Sequence, residues 1–251
     1  MTYELYHGDC LDVMPTIPDN SIDMILVDPP FGTTQNKWDT VIDLPAMWKE
    51  CKRIIKPNRA IVFFAMQPFT SVLVCSNLPM FKYDWAWRKP KGTGHLNAKK
   101  MPMRDKEDIL IFSQGTPLYH PQMSKGESYK AKAGKQSTTE SYGHYGDFRN
   151  DNQGTRYPKQ ILEFGVVEGA TLHPTQKPLP LLRYLIRTYS NEGDTILDFC
   201  FGSCSTGVAC LEERRNFIGI EKDTERGYFE IATNRMREAV NAPRTLAMEL
   251  G

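Results

Sequence analysis

The tetrapeptide Asp28-Pro29-Pro30-Phe31 directly follows the apolar run 22–27, which has the composition of a buried strand. Two successive prolines fix φ and force a rigid, extended turn without proline N–H donors. The carbonyls of this turn and the Asp28 carboxylate can therefore accept hydrogen bonds, and Phe31 adds a flat apolar ring. Acceptors beside a stacking ring suit a substrate with an NH₂ group on an aromatic ring. The alternative is an ordinary turn from a strand into a loop, which Asp-Pro-Pro alone also fits.

A second polar turn lies within residues 196–207, where an apolar strand pattern ends at Asp198 and small residues lead into a helix. Small residues let a ligand approach the backbone at a helix N-terminus. The spacing matches neither GxGxxG nor the GK[ST] phosphate loop. The next apolar run ends at Glu221, and an acid at such a position typically binds ribose hydroxyls. Together these features predict a site for a nucleoside-bearing cofactor.

A third candidate segment, His173-Pro174-Thr175-Gln176-Lys177-Pro178, comes immediately before an apolar helix pattern that starts at Leu179. Prolines are common at the start of a helix, so the segment by itself also has a purely structural explanation. A lone histidine such as His173 is more often structural than catalytic.

The elements that must position these turns can be read from the hydrophobic pattern. Seven apolar runs have the character of strands: 3–7, 22–27, 60–65, 83–88, 109–112, 195–201 and 217–220. Most are continuous rather than alternating, which is typical of strands buried on both faces. Helical spacing recurs between them at 44–55, 179–186, 208–211 and 228–236. This alternation predicts a doubly wound, mostly parallel α/β sheet. Residues 113–160 interrupt it and are either a disordered insertion or a functional surface element.

The charges of the 251-residue chain are segregated, although 31 Lys+Arg nearly balance 30 Asp+Glu. The net charge is −3 over residues 1–81, +7 over 82–160 and −3 over 161–251. A basic middle segment suggests a polyanionic partner, and a solvated lysine-rich surface is the alternative. No apolar run approaches the ~20 residues of a membrane span. Six cysteines without zinc spacing, and no visible secretory signal, predict reduced thiols, no metal site and a cytoplasmic protein.

Taken together and in this order, the three segments resemble the S-adenosylmethionine-dependent DNA amino-methyltransferases, specifically the permuted β class. In that class the catalytic half comes first, then the target-recognition segment, then the cofactor half. The resemblance spans nearly the whole chain. It implies a single domain with a seven-stranded Rossmann-like methyltransferase sheet. Its parts would be a catalytic half at 1–112, an irregular target-recognition insertion at 113–165 and a cofactor-binding half at 166–251.

The resemblance implies S-adenosylmethionine as the cofactor and assigns the residues that hold it. Asp9 and Cys10 resemble the turn that binds the cofactor's adenine, and Glu221 would bind the ribose hydroxyls. Lys177 would pair with the carboxylate of the methionine moiety. The full set of implied cofactor residues is Asp9, Cys10, His173, Thr175, Lys177, Asp198, Phe201, Gly202, Ser203, Thr206, Glu221 and Lys222.

Double-stranded DNA is the implied substrate, with the target base flipped out of the helix and stacked on Phe31. The implied catalytic residues are Asp28, Pro29, Pro30 and Phe31. The implied DNA contacts lie mostly in the basic segment: Lys37, Lys89, Lys91, Lys99, Lys100, Arg104, Lys130, Lys132 and Arg156. The family also implies two partners to look for, a second copy of the chain and a cognate restriction endonuclease.

The sequence departs from the usual family pattern in the cofactor loop. The family reads Asp-Pro-Phe-x-Gly-Ser-Gly-Thr-Thr-Gly, whereas Phe199, Cys200 and Cys204 replace its Pro, its Phe and one Gly here. If that Gly needs a positive φ, Cys204 is strained or the turn differs.

Asp at the first catalytic position is usual for adenine N6 enzymes, which favours methyl transfer to N6 of adenine. The alternatives are a cytosine N4 DNA enzyme, an RNA adenine enzyme and a non-catalytic DNA-binding relative.

Overall fold

The computed structural model describes residues 1–33, 39–130, 137–139, 143–145, 151–166, 176–223 and 226–241. Its main feature is an eight-stranded sheet, formed by β1 (Tyr3–His7), β2 (Met24–Val27), β3 (Ile61–Ala65), β4 (Phe81–Thr93), β5 (Arg104–Phe112), β12 (Ile161–Glu163), β13 (Thr195–Asp198) and β14 (Asn216–Glu221). The order of the strands in the sheet is β1-β14-β13-β2-β3-β5-β4-β12. β5 pairs antiparallel with both β3 and β4, and the other neighbours pair in parallel.

The predicted doubly wound, mostly parallel α/β sheet is confirmed, and all seven predicted strands are present. The eighth strand, β12, adds to the edge formed by β4 and comes from the end of the segment predicted as an insertion. β13 ends at Asp198, three residues before the end of the apolar run. The reason is local: the Asp198 carboxylate accepts a hydrogen bond from the Cys200 N–H at 3.1 Å, which begins the turn.

Six α-helices are described: α1 (Cys10–Val13), α2 (Leu44–Ile54), α3 (Phe69–Ser76), α4 (Leu179–Tyr189), α5 (Ser205–Glu212) and α6 (Tyr228–Asn241). Side-chain caps fix two of the helix starts, because Asp9 accepts from Leu11 N and Asp43 accepts from Ala46 N. α4 follows Pro178 and carries Pro180 in its first turn, where a missing N–H costs nothing. None of the helices within the described residues is long and apolar enough to cross a membrane.

The helices cover both faces of the sheet and form two hydrophobic clusters. One contains the α4 residues Leu182 and Ile186 together with Val208 of α5. The other contains Trp48 and Cys51 of α2 together with Phe69 of α3. The central strand β3 is buried along its whole length. Strands buried on both faces explain why the sequence shows continuous apolar runs.

The chain forms two compact units. The first comprises Met1–His120 together with Gln160–Gly251, and the second comprises Pro121–Lys159. The second unit contains three short antiparallel pairs, formed by β6 (Ser124–Lys125) with β11 (Thr155–Arg156), β7 (Tyr129–Lys130) with β10 (Asp151–Asn152), and β8 (Ser137–Thr139) with β9 (Gly143–Tyr145). Within it, the Arg156 guanidinium lies 4.8 Å from the centroid of the Tyr129 ring. The three functional segments at 1–112, 113–165 and 166–251 stay a prediction.

Candidate active site

Four acidic residues lie at the carboxyl edge of the sheet. The adjacent strands β1, β14, β13 and β2 are parallel, so their carboxyl ends share one edge. Glu221 and Asp198 are the last residues of their strands, Asp28 follows β2 directly, and Asp9 follows β1 after one residue. Ligands of open α/β sheets bind outside this edge. The fold therefore brings together four acids that the sequence analysis had assigned to catalysis and cofactor binding.

Asp28 has one occupied and one available carboxylate oxygen. Its Oδ2 accepts a hydrogen bond from Lys177 Nζ at 2.5 Å. Its Oδ1 is buried and has no hydrogen-bond partner among the described residues. Burial raises the pKa of the Asp28 carboxyl, and the Lys177 ammonium opposes that rise. A buried acceptor without a donor is unfavourable, so this oxygen is suited to an N–H group of a ligand.

Lys177 bridges two carboxylates of the site. Its Nζ lies 2.5 Å from Asp28 Oδ2 and 3.3 Å from Glu107 Oε2, and only 8% of its side chain is exposed. Burial by itself lowers the pKa of Lys177, but the two carboxylates outweigh burial and raise the pKa above its usual value. Lys177 is predicted from the family resemblance to pair with the carboxylate of the cofactor. The structure places the ammonium on the predicted catalytic aspartate.

Glu107 is a buried member of this cluster that was not predicted as a catalytic or cofactor residue, although it lies in the segment 88–111, which resembles the family's region beside the target base. It lies on β5, its Oε2 faces Lys177, and its Oε1 accepts a hydrogen bond from Lys89 Nζ. Burial would raise the pKa of Glu107, but the ammonium groups of Lys177 and Lys89 outweigh it and lower the pKa. The available signal was an acid at the start of a buried apolar run, since such a charge needs a partner. Lys89, predicted to contact DNA phosphate, is paired with Glu107 instead of extending into solvent.

Packing and hydrogen bonds to Asp39 hold the rest of the predicted catalytic tetrapeptide. Pro29 is buried, and the Phe31 ring stacks on Phe69 with 5.4 Å between the ring centroids. Asp39 accepts hydrogen bonds from the Gly32 N–H at 2.8 Å and the Thr33 N–H at 2.9 Å. These contacts fix the direction in which the chain leaves Phe31. Lys37 falls outside the described residues.

Asp198 and Glu221 organise the turn between β13 and α5. Burial raises the pKa of Asp198 to about 7, while a hydrogen bond from Thr206 opposes the rise. Glu221 Oε2 accepts the Gly202 N–H at 2.7 Å, and Oε1 accepts the Asp223 N–H at 2.9 Å. Burial also raises the pKa of Glu221. Both carboxylates therefore already support the loop that the resemblance assigns to the cofactor.

The departure at Cys204 has a defined backbone consequence. Cys204 precedes α5 with φ 61° and ψ 37°, so this position does adopt the left-handed conformation that favours glycine. Its thiol is buried, and its N–H donates to the Phe201 carbonyl at 2.7 Å. Arg235 contacts the Ser203 carbonyl. A cysteine in this left-handed conformation therefore carries local backbone strain.

The predicted adenine-binding turn lies at the end of β1. The Asp9 carboxylate caps α1 and accepts a hydrogen bond from Lys222 Nζ at 2.7 Å. That hydrogen bond is the main reason that the pKa of Asp9 is lowered. Cys10 is buried beneath the turn. His173 and Thr175, also predicted to hold the cofactor, lie outside the described residues.

The remaining predicted DNA contacts fall into two groups. Lys91, Lys99, Lys100 and Arg104 are exposed on the β4–β5 hairpin, which belongs to the same unit as Asp28. Lys130 is exposed in the second unit. Arg156, also in the second unit, is half-buried and bonded to Asn152 and to the Glu127 carbonyl. Lys132 lies outside the described residues.

Comparison with known proteins gives a consistent result. A family model, N6_N4_Mtase, described as DNA methylase, matches residues 22–234. The chain is 28% identical to the type II methyltransferase M.HpaI of Haemophilus parainfluenzae, covering 96% of this chain and 76% of that protein. It is 29% identical to the DNA adenine methyltransferase YhdJ of Escherichia coli K12, covering 92% and 82%.

Two solved structures share the fold. The M1.HpyAVI complex with S-adenosylmethionine aligns with a TM-score of 0.63 at 23% identity, covering 93% of this chain and 100% of that one. The cytosine-N4-specific PvuII DNA methyltransferase aligns with a TM-score of 0.64 at 17% identity, covering 97% and 94%.

Proposed function

Because the chain belongs to the family of S-adenosylmethionine-dependent DNA methylases that modify exocyclic amino groups, we propose that it methylates N6 of adenine in duplex DNA. The family includes both N6-adenine and N4-cytosine enzymes. Adenine is favoured by Asp28 at the first position of the tetrapeptide and by similarity to a relative named as an adenine methyltransferase. Transfer to N4 of cytosine is the alternative.

The observation that carries this proposal is the buried Asp28 Oδ1, which has no hydrogen-bond partner among the described residues and belongs to the same tetrapeptide as Phe31. The amino lone pair of adenine is delocalised into the ring, which makes the amine a poor nucleophile. When Asp28 Oδ1 and the Pro29 carbonyl accept its two N–H bonds, the nitrogen becomes pyramidal and its lone pair points away from the ring. Orientation of this kind contributes up to about 7–11 kcal/mol for well-aligned reactants.

The proton balance assigns a second task to Asp28. When bound, S-adenosylmethionine supplies an electrophilic methyl group, and the sulfur keeps the electron pair of the broken bond. The amino nitrogen gains a bond to carbon and must lose one proton. Asp28 Oδ1, already hydrogen-bonded to that N–H, accepts the proton, so no nucleophilic cysteine is required.

The target base must leave the helix to reach Asp28, because its amino group is paired and stacked in duplex DNA. Phe31 offers a face for the flipped base, and stacking of this kind contributes roughly 1–3 kcal/mol. The exposed cations of the β4–β5 hairpin, which include Lys99 and Lys100, provide phosphate contacts that position the duplex.

The carboxyl edge fits the cofactor that the family uses. Glu221 ends β14 and Asp9 follows the adjacent strand β1, which suits binding of a ribose and of an adenine amino group. Both carboxylates already accept protein donors, but each oxygen has two lone pairs and can accept a further hydrogen bond. Asp198 and the small-residue turn after it would border the methionine end, together with His173 and Thr175. A homodimer, a cognate endonuclease and a cytoplasmic location stay predictions.

Incubation with labelled S-adenosylmethionine and unmodified genomic DNA, followed by nucleoside analysis, tests the proposal. The expected product is N6-methyladenine. Detection of N4-methylcytosine instead would identify N4 of cytosine as the target. Absence of transfer by a preparation that binds both cofactor and DNA would favour a non-catalytic DNA-binding protein.

Asp28→Asn is the matched loss-of-function variant, because it keeps the shape of the side chain and removes the base. Transfer is expected to fall by about 10²–10⁴-fold, the usual contribution of a general base, with cofactor affinity unchanged. Asp19→Asn is the control, since Asp19 is an exposed carboxylate that precedes β2 at the opposite edge of the sheet. Full activity of the Asp28 variant would overturn the catalytic assignment.

A further inference from the structure

A line of four alternating charges leads away from the candidate catalytic carboxylate. Asp28 contacts Lys177, Lys177 contacts Glu107, and Glu107 contacts Lys89. The two central members are almost fully buried, with 8% of each side chain exposed. Groups that merely supported a fold would be less costly as apolar residues, since a buried ion pair is a weak source of stability. Because this buried series of ion pairs ends at Asp28, the proposed base, it indicates a role for these residues in the reaction.

Glu107 occupies an unusual position in this line. Its Oε1 is bonded to Lys89, whereas its Oε2 is buried, lies 3.3 Å from Lys177 Nζ and makes no hydrogen bond within the part of the chain that the structure describes. The ammonium of Lys177 is closer to Asp28, at 2.5 Å. Glu107 therefore attracts the Lys177 ammonium, which nevertheless stays hydrogen-bonded to Asp28.

We propose that Glu107 is a positioning residue for methyl transfer: it shares the Lys177 ammonium with Asp28, keeping that ammonium on Asp28 Oδ2 while leaving Asp28 Oδ1 basic enough to accept the amino proton. This inference rests on the proposed function for its catalytic meaning. The electrostatic effect of Glu107 on Lys177 and Asp28 does not depend on the substrate.

The basicity of Asp28 depends on the balance of charges around it. A lone ammonium at 2.5 Å would strongly stabilise the Asp28 carboxylate and make it a poor proton acceptor. The Glu107 carboxylate compensates that ammonium and raises the pKa of Asp28, acting with burial. The charged groups that act on Asp28 are Lys177 before α4, Glu107 on β5 and Lys89 on β4, and Asp198 at the end of β13 interacts with it as well. Removing the Glu107 charge leaves Lys177 to act on Asp28 alone.

The test compares Glu107→Gln with Glu107→Asp. The glutamine variant keeps the shape and removes the charge, so the acid limb of the pH profile of kcat should move about one pH unit lower. Its plateau kcat should fall about tenfold, because a less basic carboxylate accepts the proton less readily. The KM values for DNA and S-adenosylmethionine should stay within about twofold, as expected for an effect on the chemical step. The aspartate variant keeps the charge, so its acid limb should stay near the wild-type position.

Glu50→Gln is the matched control, because Glu50 is also a buried glutamate in an ion pair, with Arg53 of α2 at 2.7 Å. It should leave the acid limb unchanged. A merely structural role of Glu107 would lower the active fraction of Glu107→Gln without moving the limb, and that result would overturn the inference.

A titration of ¹³C-carboxyl-labelled aspartates separates this inference from the proposed function. The Asp28 signal is assigned by its loss in Asp28→Asn, and its pKa should fall in Glu107→Gln and stay in Glu50→Gln. If the wild-type protein transferred no methyl group but the Asp28 pKa fell in Glu107→Gln, the proposed function and the catalytic role would fail, and the electrostatic effect of Glu107 on Asp28 would stand. An unchanged Asp28 pKa would refute the assignment whether or not DNA is methylated.

Discussion

Lys177 Nζ donates a hydrogen bond of 2.5 Å to Asp28 Oδ2, although 149 positions separate the two residues in the sequence. The contact joins two motifs that the sequence analysis had assigned to different tasks, one to catalysis and one to cofactor binding. It occupies one oxygen of the aspartate and leaves Oδ1 for the target amine. The ammonium therefore orients the proposed base.

Lys177→Met should produce two effects. It leaves the half-buried Asp28 and the buried Glu107 carboxylates without their shared cation, which should lower the free energy of unfolding by about 3 kcal/mol. Loss of the ammonium also raises the pKa of Asp28, so the carboxylate form is lost at higher pH and the acid limb of kcat moves upward. Urea denaturation and a pH profile measure the two effects.

Lys56→Met is the matched control for this variant. Lys56 pairs with buried Asp23 at 2.8 Å, but Arg59 also contacts Asp23, so less stability should be lost. If Lys177→Met mainly raised the KM for S-adenosylmethionine and left the acid limb in place, the cofactor-carboxylate role would be the correct one.

Asp198→Asn should change how stability depends on pH. The pKa of Asp198 is about 7 in the folded protein, above its ordinary value of 3.8, so folding favours the protonated form. The resulting stability is fully present below about pH 4 and is lost as the pH rises through 7. The free energy of unfolding of the wild type, relative to Asp198→Asn, should fall by at most about 4 kcal/mol between pH 4 and pH 8. Denaturation across this pH range measures the change in the free energy of unfolding.

Asp12→Asn, at an exposed carboxylate of α1, is the control and should show no comparable change. Parallel pH curves for the wild type and Asp198→Asn would contradict the raised pKa of Asp198.

Cys204→Gly and Cys204→Ala separate backbone strain from loss of the thiol. Both variants remove the same buried sulfur, but only glycine adopts φ 61° without a Cβ penalty. The glycine variant should therefore be about 1 kcal/mol more stable than the alanine variant. Midpoints and slopes of urea unfolding give the difference. Equal stabilities would show that this turn relaxes to another conformation when the thiol is removed.

Lys99→Gln combined with Lys100→Gln should weaken DNA binding and its dependence on salt. Each phosphate contact contributes about 0.9 to the slope of log K against log salt, so the slope should become less steep by about 1.8. Fluorescence anisotropy with a labelled duplex at several salt concentrations measures it. Lys49→Gln with Lys52→Gln removes two exposed lysines from α2 and should leave the slope unchanged. Equal slopes for both pairs would remove the hairpin from the DNA-binding surface.

Much of the fold could be predicted because the strands of this sheet are buried on both faces. The run 61–65 is fully buried and reads as continuous apolar sequence. β12 could not be predicted in this way, because its pattern over Ile161–Glu163 is one buried residue between two exposed ones and its position depends on pairing with β4. The positive φ at Cys204 could be predicted only conditionally. The family has a glycine at this position, so a positive φ there would strain a cysteine, but the sequence does not show whether the backbone adopts that φ.

The sequence by itself determined which turns carry chemistry, since acids, prolines and small residues at the ends of apolar runs are local properties of the chain. It also determined the order of the motifs, and with it the family. Only the tertiary structure decided which charges neutralise one another. Lys177 could reach a cofactor carboxylate, a phosphate or a protein carboxylate equally well by its chemistry, and the order of the strands brings Asp28 and Glu107 within its reach. Which charged groups pair depends on their distance in space and on their burial, and the spacing of residues along the chain determines neither.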